Sequence, residues 1–303
     1  MHGPDRPVLG IVLMFGFCIL APLGDAIAKL LGGSVSLGQL LLVRFAVQAA
    51  LLLPIALWSG HLLRLPPRIL WLTLLRTVLH IAGIGAMFSA LRFLPLADAV
   101  AIAFVMPFIL LLLGRYVLGE VVGPRRLIAC LVGFAGTLLV IQPSFETAGA
   151  AALLPLIVAV DFALFMLVTR QIARAANPIS LQAVSGLMAV AILGLLHVAA
   201  APWQPPIMHL ALPALRDGLL LAALGLIGVT AHLLMTWSLR HAPAATLAPM
   251  QYLEIPFATL IGWLIFQDLP GGLAAIGILI IALSGLFVVL RERAAAQTVP
   301  PET

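Results

Sequence analysis

Ala90-Leu91-Arg92-Phe93-Leu94-Pro95-Leu96-Ala97 recurs 148 residues later as Ser238-Leu239-Arg240-His241-Ala242-Pro243-Ala244-Ala245. The two stretches share the pattern Leu-Arg-x-x-Pro-x-Ala. Glu120 follows the first copy, and Asp268 follows the second copy at the same offset. Helices rich in Leu and Ala resemble one another by chance, but a shared pattern together with an acidic residue at one fixed offset favours an internal repeat.

The sequence around this repeat is too apolar for a protein that dissolves in water. Hydrophobic residues make up 63% of the chain and charged residues 9%, whereas soluble domains carry about a quarter charged residues. Ten apolar stretches approach the ~20 residues that a helix needs to cross a bilayer. They are residues 8–31, 37–58, 69–91, 95–114, 124–142, 150–173, 179–201, 213–239, 243–266 and 270–290. We therefore predict an all-α integral membrane protein with ten transmembrane helices.

The basic residues predict how these helices are oriented. If the N-terminus is cytoplasmic, 11 of the 16 Lys and Arg residues lie on the cytoplasmic side, three lie outside, and Arg44 and Arg76 lie within spans. The cytoplasmic residues are then Arg6, Arg64, Arg68, Arg115, Arg125, Arg126, Arg170, Arg174, Arg240, Arg291 and Arg293. This bias follows the positive-inside rule. It places the chain in a cell inner (plasma) membrane with both termini cytoplasmic, and it assigns the net charge of +5 to lipid rather than nucleic acid.

Each copy of the repeat holds five predicted helices. An odd number makes the second copy enter the membrane from the opposite side, so the two copies form an inverted-topology repeat, which is common in secondary transporters. We assign residues 8–142 to the first repeat and residues 150–290 to the second. Residues 291–303 are polar and are predicted to form a disordered cytoplasmic tail.

These features resemble the drug/metabolite transporter superfamily, and specifically its members with two EamA domains. The resemblance is carried by residues 90–99, by Leu118-Gly119-Glu120 followed by Gly133 and Gly136, and by Gln267-Asp268 at the end of the second copy. It implies a ten-helix carrier of amino acids, nucleotide-related metabolites, vitamins, acylcarnitines or drugs, and it favours export. Asp268-Leu269-Pro270 departs from the Gly-Glu that many second copies keep.

Charged groups within hydrocarbon need a partner or a water-filled cavity. Asp161 and Glu254 lie near the middle of their spans, and no mid-membrane lysine stands in the same helices. A carboxyl group in such a place exchanges protons near neutral pH, which suits a proton-coupled carrier. A structural pair with Arg or His across helices is the competing interpretation.

The other polar residues within the spans leave two interpretations open. Arg44 anchors an anionic substrate group or braces neighbouring helices. His80 binds and releases a proton or packs as a hydrogen-bonded histidine. Asp25 and Lys29 are predicted to pair, since they lie four residues apart on one helix. Arg76 belongs to a polar stripe on the third helix that would face a cavity, or it extends towards the cytoplasmic surface.

We predict a substrate site near the membrane midplane, between the two repeats. Its predicted lining residues are His80, Met87, Asp161, Trp237, Gln251, Tyr252 and Glu254, with Arg44 as an anion anchor. Pro107 and Pro256 are predicted to break the fourth and ninth helices at corresponding positions, as hinges or as static kinks.

The function predicted from these observations is secondary active transport of small organic metabolites, such as amino acids, by alternating access and with proton coupling. Alternatives are a vitamin- or nucleotide-type importer, a facilitative exchanger, or an integral-membrane lipid-modifying enzyme. Enzyme motifs are absent, and Cys18 and Cys130 lack metal-ligand spacing. We therefore expect no cofactor and no metal. The expected partners are a small-molecule substrate and the lipid bilayer, in a monomer or homodimer.

Overall fold

The computed structural model describes residues 6–59, 66–120, 122–203 and 205–297. These residues form helices and no strand. The α-helices are α1 (Pro7–Leu31), α2 (Leu37–Trp58), α3 (Pro67–Ala90), α4 (Leu96–Ala103), α5 (Met106–Leu118), α6 (Pro124–Ala148), α7 (Leu154–Ala173), α8 (Pro178–Ala200), α9 (Leu215–His241), α10 (Ala244–Leu247), α11 (Glu254–Phe266) and α12 (Gly272–Gln297). Gly149–Leu153, Pro206–Met208 and Ala248–Leu253 are short 3₁₀ segments.

Local chemistry explains where several helices begin. The hydroxyl of Ser36 accepts the backbone N–H of Gln39 at 3.2 Å, and the side chain of Asn177 accepts the N–H of Ile179 at 2.9 Å. Both contacts satisfy donors that have no partner within the helix. Proline occupies the first position of four helices, where its missing N–H has no cost. These prolines are Pro7, Pro67, Pro124 and Pro178.

Seven helical segments within the described residues are long and apolar enough to cross a bilayer. They are Pro7–Leu31, Leu37–Trp58, Pro67–Ala90, Leu96–Leu118, Gly149–Ala173, Pro178–Ala200 and Leu215–His241. Helices α6 and α12 contain shorter apolar cores, Leu127–Val140 and Gly272–Phe287. These segments support a multi-pass all-α membrane protein, whereas the count of ten crossings stays a prediction.

Two of the predicted spans are interrupted near their middle. The fourth span divides into α4 and α5, with a turn at residues 104–105 directly before Pro107. The ninth span divides into α10 and α11, with the 3₁₀ segment Ala248–Leu253 between them and Pro256 in the first turn of α11. Proline lacks the N–H that would continue the preceding helix, so both interruptions have a local cause.

The outer surface of the bundle carries large apolar side chains. Trp71 is 67% exposed, Leu219 is 63% exposed and Leu264 is 59% exposed. Soluble monomers rarely show apolar surface on this scale, because exposing it to water is unfavourable. Contact with lipid acyl chains accounts for these side chains.

The largest interfaces pair a helix from the first half of the chain with one from the second half. Helix α1 packs along α9, α3 along α7, α2 along α8, and α6 along α12. The two halves therefore interlock rather than sit side by side.

The bundle has two ends, which we name after the acidic residues found there. At the Glu120 end, the N–H of Arg6 donates to the carbonyl of His241 at 2.9 Å, and Nε of Arg170 lies 3.3 Å from Oε1 of Glu120. At the Asp268 end, Nζ of Lys29 lies 3.6 Å from Oδ2 of Asp268. Arg6 and Lys29 lie at opposite ends of α1, a helix of 25 residues, so about 35 Å separates the two ends.

Three expectations about side chains and boundaries need correction. Lys29 does not pair with Asp25, because it reaches Asp268 and also donates to the carbonyl of Leu94 at 2.9 Å. Arg76 does not extend to the surface, because its side chain is fully buried among hydroxyl groups. Helix α12 continues to Gln297, into the segment predicted as a disordered tail, and residues 298–303 lie outside the described part.

Helices α6 and α12 cross with their backbones in contact. A Cβ on Gly277 would lie 2.5 Å from the carbonyl oxygen of Gly136, and a Cβ on Gly136 would lie 2.8 Å from that of Gly277. Small residues at such a crossing let two backbones approach closely. Any larger side chain at either position must push the helices apart.

We predict that Gly277→Ala lowers stability by about 1–3 kcal/mol, since overpacking separates the two helices. The measurement is the apparent Tm of the detergent-purified protein. Gly194→Ala in α8 is the matched control, because a Cβ there meets nothing within 4 Å. The control should keep or raise the Tm, since alanine favours a helix over glycine. Equal Tm values for the two variants would contradict the close crossing.

Candidate functional site

A cavity lies in the middle of the bundle and in the half nearer the Asp268 end. The space in the cavity together with the open solvent at its mouth amounts to about 780 Å³. Most of its wall is apolar or aromatic. Pockets that bind small molecules typically have such walls with a few polar groups among them. The apolar wall consists of Phe17, Leu20, Ala21, Ile84, Met87, Phe88, Val100, Ala103, Phe104, Met106, Val158, Phe162, Leu224, Ile227 and Ala231.

Four titratable side chains also reach the cavity: Asp25 from α1, Arg44 from α2, His232 from α9 and Glu254 from the start of α11. Arg44 is 3% exposed, His232 is 7% exposed and Glu254 is 8% exposed. Polar groups that are buried this deeply need partners. Nη1 of Arg44 and Nε2 of His232 nevertheless have no hydrogen-bond partner among the described residues.

Nδ1 of His232 is within hydrogen-bond distance of both Arg44 and a backbone carbonyl, and it cannot bond to both at once. Nδ1 of His232 lies 3.2 Å from Nη2 of Arg44 and 3.0 Å from the carbonyl oxygen of Gly228. A guanidinium only donates and a carbonyl only accepts, so Nδ1 forms one of these hydrogen bonds at a time. The choice sets the tautomer of His232 and therefore decides whether Nε2 offers the cavity an acceptor or a donor.

His80 lies directly behind this pair, outside the cavity wall. Its ring centroid is 4.3 Å from that of His232, 4.7 Å from that of Phe165 and 5.0 Å from that of Phe45. Neither ring nitrogen has a hydrogen-bond partner among the described residues. His80 is therefore packed as an aromatic group between the cavity and the Glu120 half of the bundle.

Arg76 fills the bundle beyond His80, towards the Glu120 end. Nε donates to Oγ1 of Thr169 at 2.8 Å, Nη1 donates to Oγ of Ser185 at 3.1 Å, and Nη2 lies 3.5 Å from Oγ1 of Thr236. The guanidinium also lies 4.5 Å above the ring centre of Phe165. These contacts join α3 to α7, α8 and α9, and they close this half of the bundle.

The structure brings some of the predicted site residues to the cavity. Glu254, Arg44 and Met87 line it. Asp161 lies next to it, because its carboxylate packs against Gly83, where a Cβ would overlap Oδ2. That oxygen is buried without a hydrogen-bond partner among the described residues.

Three other predicted residues lie elsewhere. Gln251 is buried in the 3₁₀ segment, and neither of its amide atoms has a partner among the described residues. The hydroxyl of Tyr252 donates to the carbonyl of Cys130 at 3.3 Å, and the Tyr252 ring packs against the ring of Phe104. Trp237 is half-buried and does not line the cavity, because it turns away from the face that Thr236 presents inwards.

Sequence reasoning missed Asp25 and His232 as cavity residues. Asp25 was assigned to a pair with Lys29, although either face of α1 was compatible with the spacing. One face of α9 carries small or polar residues at four-residue intervals, namely Gly228, His232 and Thr236. In an apolar membrane helix, this pattern indicates the face that points into the protein. That stripe identifies His232 rather than Trp237.

Solved and curated proteins are similar to this chain. A crystal structure matches 95% of this chain and 98% of its own chain with a TM-score of 0.68 and 21% identity, which shows that the fold is shared. A riboflavin transporter of Rhizobium johnstonii is 32% identical over 222 residues, covering 73% of this chain and 71% of that protein. An S-adenosylmethionine uptake transporter of Rickettsia felis is 24% identical and covers 89% of both chains. A pseudopaline exporter of Pseudomonas aeruginosa is 24% identical and covers 89% of this chain and 90% of that protein.

The EamA-like transporter family matches twice, at residues 8–142 and 149–290. The family and the named relatives are transporters rather than enzymes. Together the two matches span nearly all of the described bundle, and this chain therefore belongs to the EamA-like transporter family.

Proposed function

We propose that this protein is a secondary transporter that carries a small organic metabolite by alternating access through the central cavity. The observation that carries the proposal is a cavity with apolar walls and four titratable groups, enclosed by helices that suit a bilayer. Charged groups at membrane depth mark substrate or ion pathways. Export, which the resemblance favours, stays a prediction, and the named relatives include uptake transporters and an exporter.

We further propose ten crossings in two inverted repeats, with both termini cytoplasmic. In this arrangement α6, the α10–α11 pair and α12 supply the three crossings beyond the seven long apolar segments. The position of Glu120 and Asp268 at opposite ends of the bundle supports the inversion, because a direct repeat would put them at the same end. The Glu120 end is then cytoplasmic, as the distribution of Lys and Arg requires.

Single cysteines at two exposed positions test this topology, in a background with Cys18→Ala and Cys130→Ala. A membrane-impermeant thiol reagent applied outside should label Glu146→Cys and should not label Arg68→Cys until the membrane is opened. Both positions are exposed, so the reagent reaches each of them from its own side. Labelling of both from the same side would contradict the proposed topology.

The cavity favours a substrate with a flat apolar body and hydrogen-bond acceptors at one edge. Phe17 and Phe162 lie on its wall with nearly parallel rings, and Nη1 of Arg44 offers an unused donor. A free amino acid would leave much of the apolar wall in contact with water. Riboflavin, the solute named for the Rhizobium johnstonii relative, has a flat ring system with carbonyl acceptors. This observation favours the vitamin-type alternative over amino acids.

We predict that riboflavin raises the apparent Tm of the purified protein and that free amino acids do not, since binding to the folded state stabilises it. Arg44→Gln should raise the Kd for riboflavin about tenfold, because a charge-assisted hydrogen bond is lost. Arg68→Gln, at an exposed position at the start of α3, is the control and should bind like the parent. Stabilisation by amino acids but not by riboflavin would overturn this substrate class.

Proton coupling is proposed for the carboxylates of the cavity. Glu254 and Asp25 face it together with one arginine, and Asp161 lies beside it. One carboxyl group that is reached alternately from the two sides is enough to couple transport to protons, and the sequence holds no phosphate-cradling loop for ATP. Glu254 is the first candidate, because it begins α11 directly after the 3₁₀ segment.

In proteoliposomes, a pH gradient should drive accumulation of the substrate, and a sodium gradient at constant pH should not. Glu254→Gln should reduce the accumulation to the level seen without a gradient, while riboflavin binding in the thermal-shift assay persists. Glu146→Gln, at an exposed carboxylate on α6, is the matched control. Gradient-driven accumulation by Glu254→Gln at the parent level would remove this residue from the coupling step.

A further inference from the structure

The two ends of the bundle contain the same turn. The N–H of Glu120 donates to the carbonyl of Gly114 at 3.0 Å, and the N–H of Asp268 donates to that of Gly262 at 3.4 Å. The preceding residues, Gly119 and Gln267, have φ values of 66° and 59°, and Gln267 is the one non-glycine residue with positive φ in the described part. Both turns thus end a helix, α5 or α11, with an acidic side chain turned back over it.

The carboxylate of Glu120 makes a complete set of contacts. It accepts the backbone N–H groups of Ala244 at 3.1 Å and Ala245 at 2.8 Å, at the start of α10. It also accepts Nε of Arg170 at 3.3 Å, and Nη1 of Arg170 donates to the carbonyl of Leu239 at 2.6 Å. The end of α5 is thereby tied to α7, α9 and α10.

The Asp268 end contains a basic residue and a helix start like those at the Glu120 end, but within the described chain the acidic side chain does not bond to that helix start. Lys29 near the end of α1 stands where Arg170 stands near the end of α7, and Leu96 and Ala97 correspond to Ala244 and Ala245. The carboxylate of Asp268 lies 3.6 Å from Lys29 and its side chain is 44% exposed, against 11% for Glu120. Among the described residues, it makes no hydrogen bond to the N–H of Leu96 or Ala97.

We propose that Glu120 and Asp268 are equivalent latches, one at each end of the bundle, which close in alternation during transport. This inference rests on the proposed alternating-access function. In the present state the Glu120 latch is closed and the Asp268 latch is open, which agrees with the cavity lying in the Asp268 half. When the cavity faces the Glu120 end, Asp268 caps Leu96 and Ala97, and Glu120 releases Ala244 and Ala245.

Each interrupted span connects the two latches, because it ends in one acidic residue and begins at the helix start that the other acidic residue caps. The end of α5 holds one latch and the end of α11 holds the other, while the starts of α10 and α4 receive them. Each interrupted span therefore carries a latch at one end and a receiver at the other, with a break between them at residues 104–105 or 248–253. Glu120 and Asp268 are positioning residues, because they act on the helices and do not touch the cavity.

Cysteine accessibility without substrate tests the proposal, in a background with Cys18→Ala and Cys130→Ala. Thr73→Cys reports on the Glu120 half, where Thr73 is fully buried, and Ala21→Cys reports on the cavity wall. Glu120→Gln should raise the rate of labelling at position 73 from the Glu120 side about tenfold, since charge-assisted contacts are lost. Asp268→Asn should lower that rate, and it should leave the rate at position 21 unchanged or higher. Glu146→Gln should change neither rate.

The opposite directions separate a latch from a structural contact, because simple destabilisation would raise labelling in both variants. An unchanged rate at position 73 in Glu120→Gln, or equal directions for the two variants, overturns the proposal. The labelling assay needs no substrate, so it tests the latches even if no tested solute is transported. If the protein transports normally but labelling is unchanged in the variants, the latch proposal is wrong and the proposed function stands.

A second variant covers the case in which Glu120→Gln does not fold. A Cβ on Gly114 would lie 3.1 Å from Oε2 of Glu120, so Gly114→Ala crowds the closed latch without removing its charge. A Cβ on Gly262 would lie 3.7 Å from Leu96, an ordinary contact. Gly114→Ala should raise labelling at position 73 and Gly262→Ala should not. Equal rates in these two variants also overturn the proposal.

Discussion

The guanidinium of Arg76 is fully buried inside an apolar bundle, and its donors must find acceptors within the protein. It finds them on Thr169, Ser185 and Thr236, which lie on three different helices. Separating those helices would leave a buried cation without partners, so the contacts hold the Glu120 half together. In the present state the position of the cavity follows from this constraint, because α3, α7, α8 and α9 are held together around Arg76 and part on its Asp268 side.

The cavity inherits its chemistry from the same region. Arg44 and His232 form the polar floor above His80, and each keeps one polar atom without a partner among the described residues. The walls above them are apolar and aromatic, so a ligand gains burial along its body and hydrogen bonds at one edge. The competing contacts of Nδ1 of His232 allow this floor to present a donor or an acceptor. The proposed site can therefore meet a solute that carries either an acceptor or a donor at that edge.

Much of the fold follows from the sequence, because hydrophobic length and the positions of proline fix where helices run and break. The interruptions before Pro107 and around Pro256 lie where the sequence puts them. The direction in which a polar side chain turns is harder to derive. Asp25 was predicted to pair with Lys29, but spacing along one helix cannot reveal that Asp268 and the Leu94 carbonyl compete for the same lysine. Arg76 shows the same limit, since its acceptors come from three other helices.

Glu254, a proposed coupling residue, and Asp268, a proposed latch, lie at the two ends of the same helix, α11. Glu254 is the first residue of α11 and Asp268 follows its end, and 13 helical residues span about 20 Å. A helix of this length transmits a tilt at one end directly to the other, whereas the 3₁₀ segment before it absorbs the change in direction. If Glu254 couples transport as proposed, a change in its charge or ligand contact would reach the Asp268 latch through the axis of α11. In the proposed inverted repeat, α5 is the counterpart of α11: it begins at the cavity with Met106 and ends two residues before Glu120, so we expect the same lever at the opposite end.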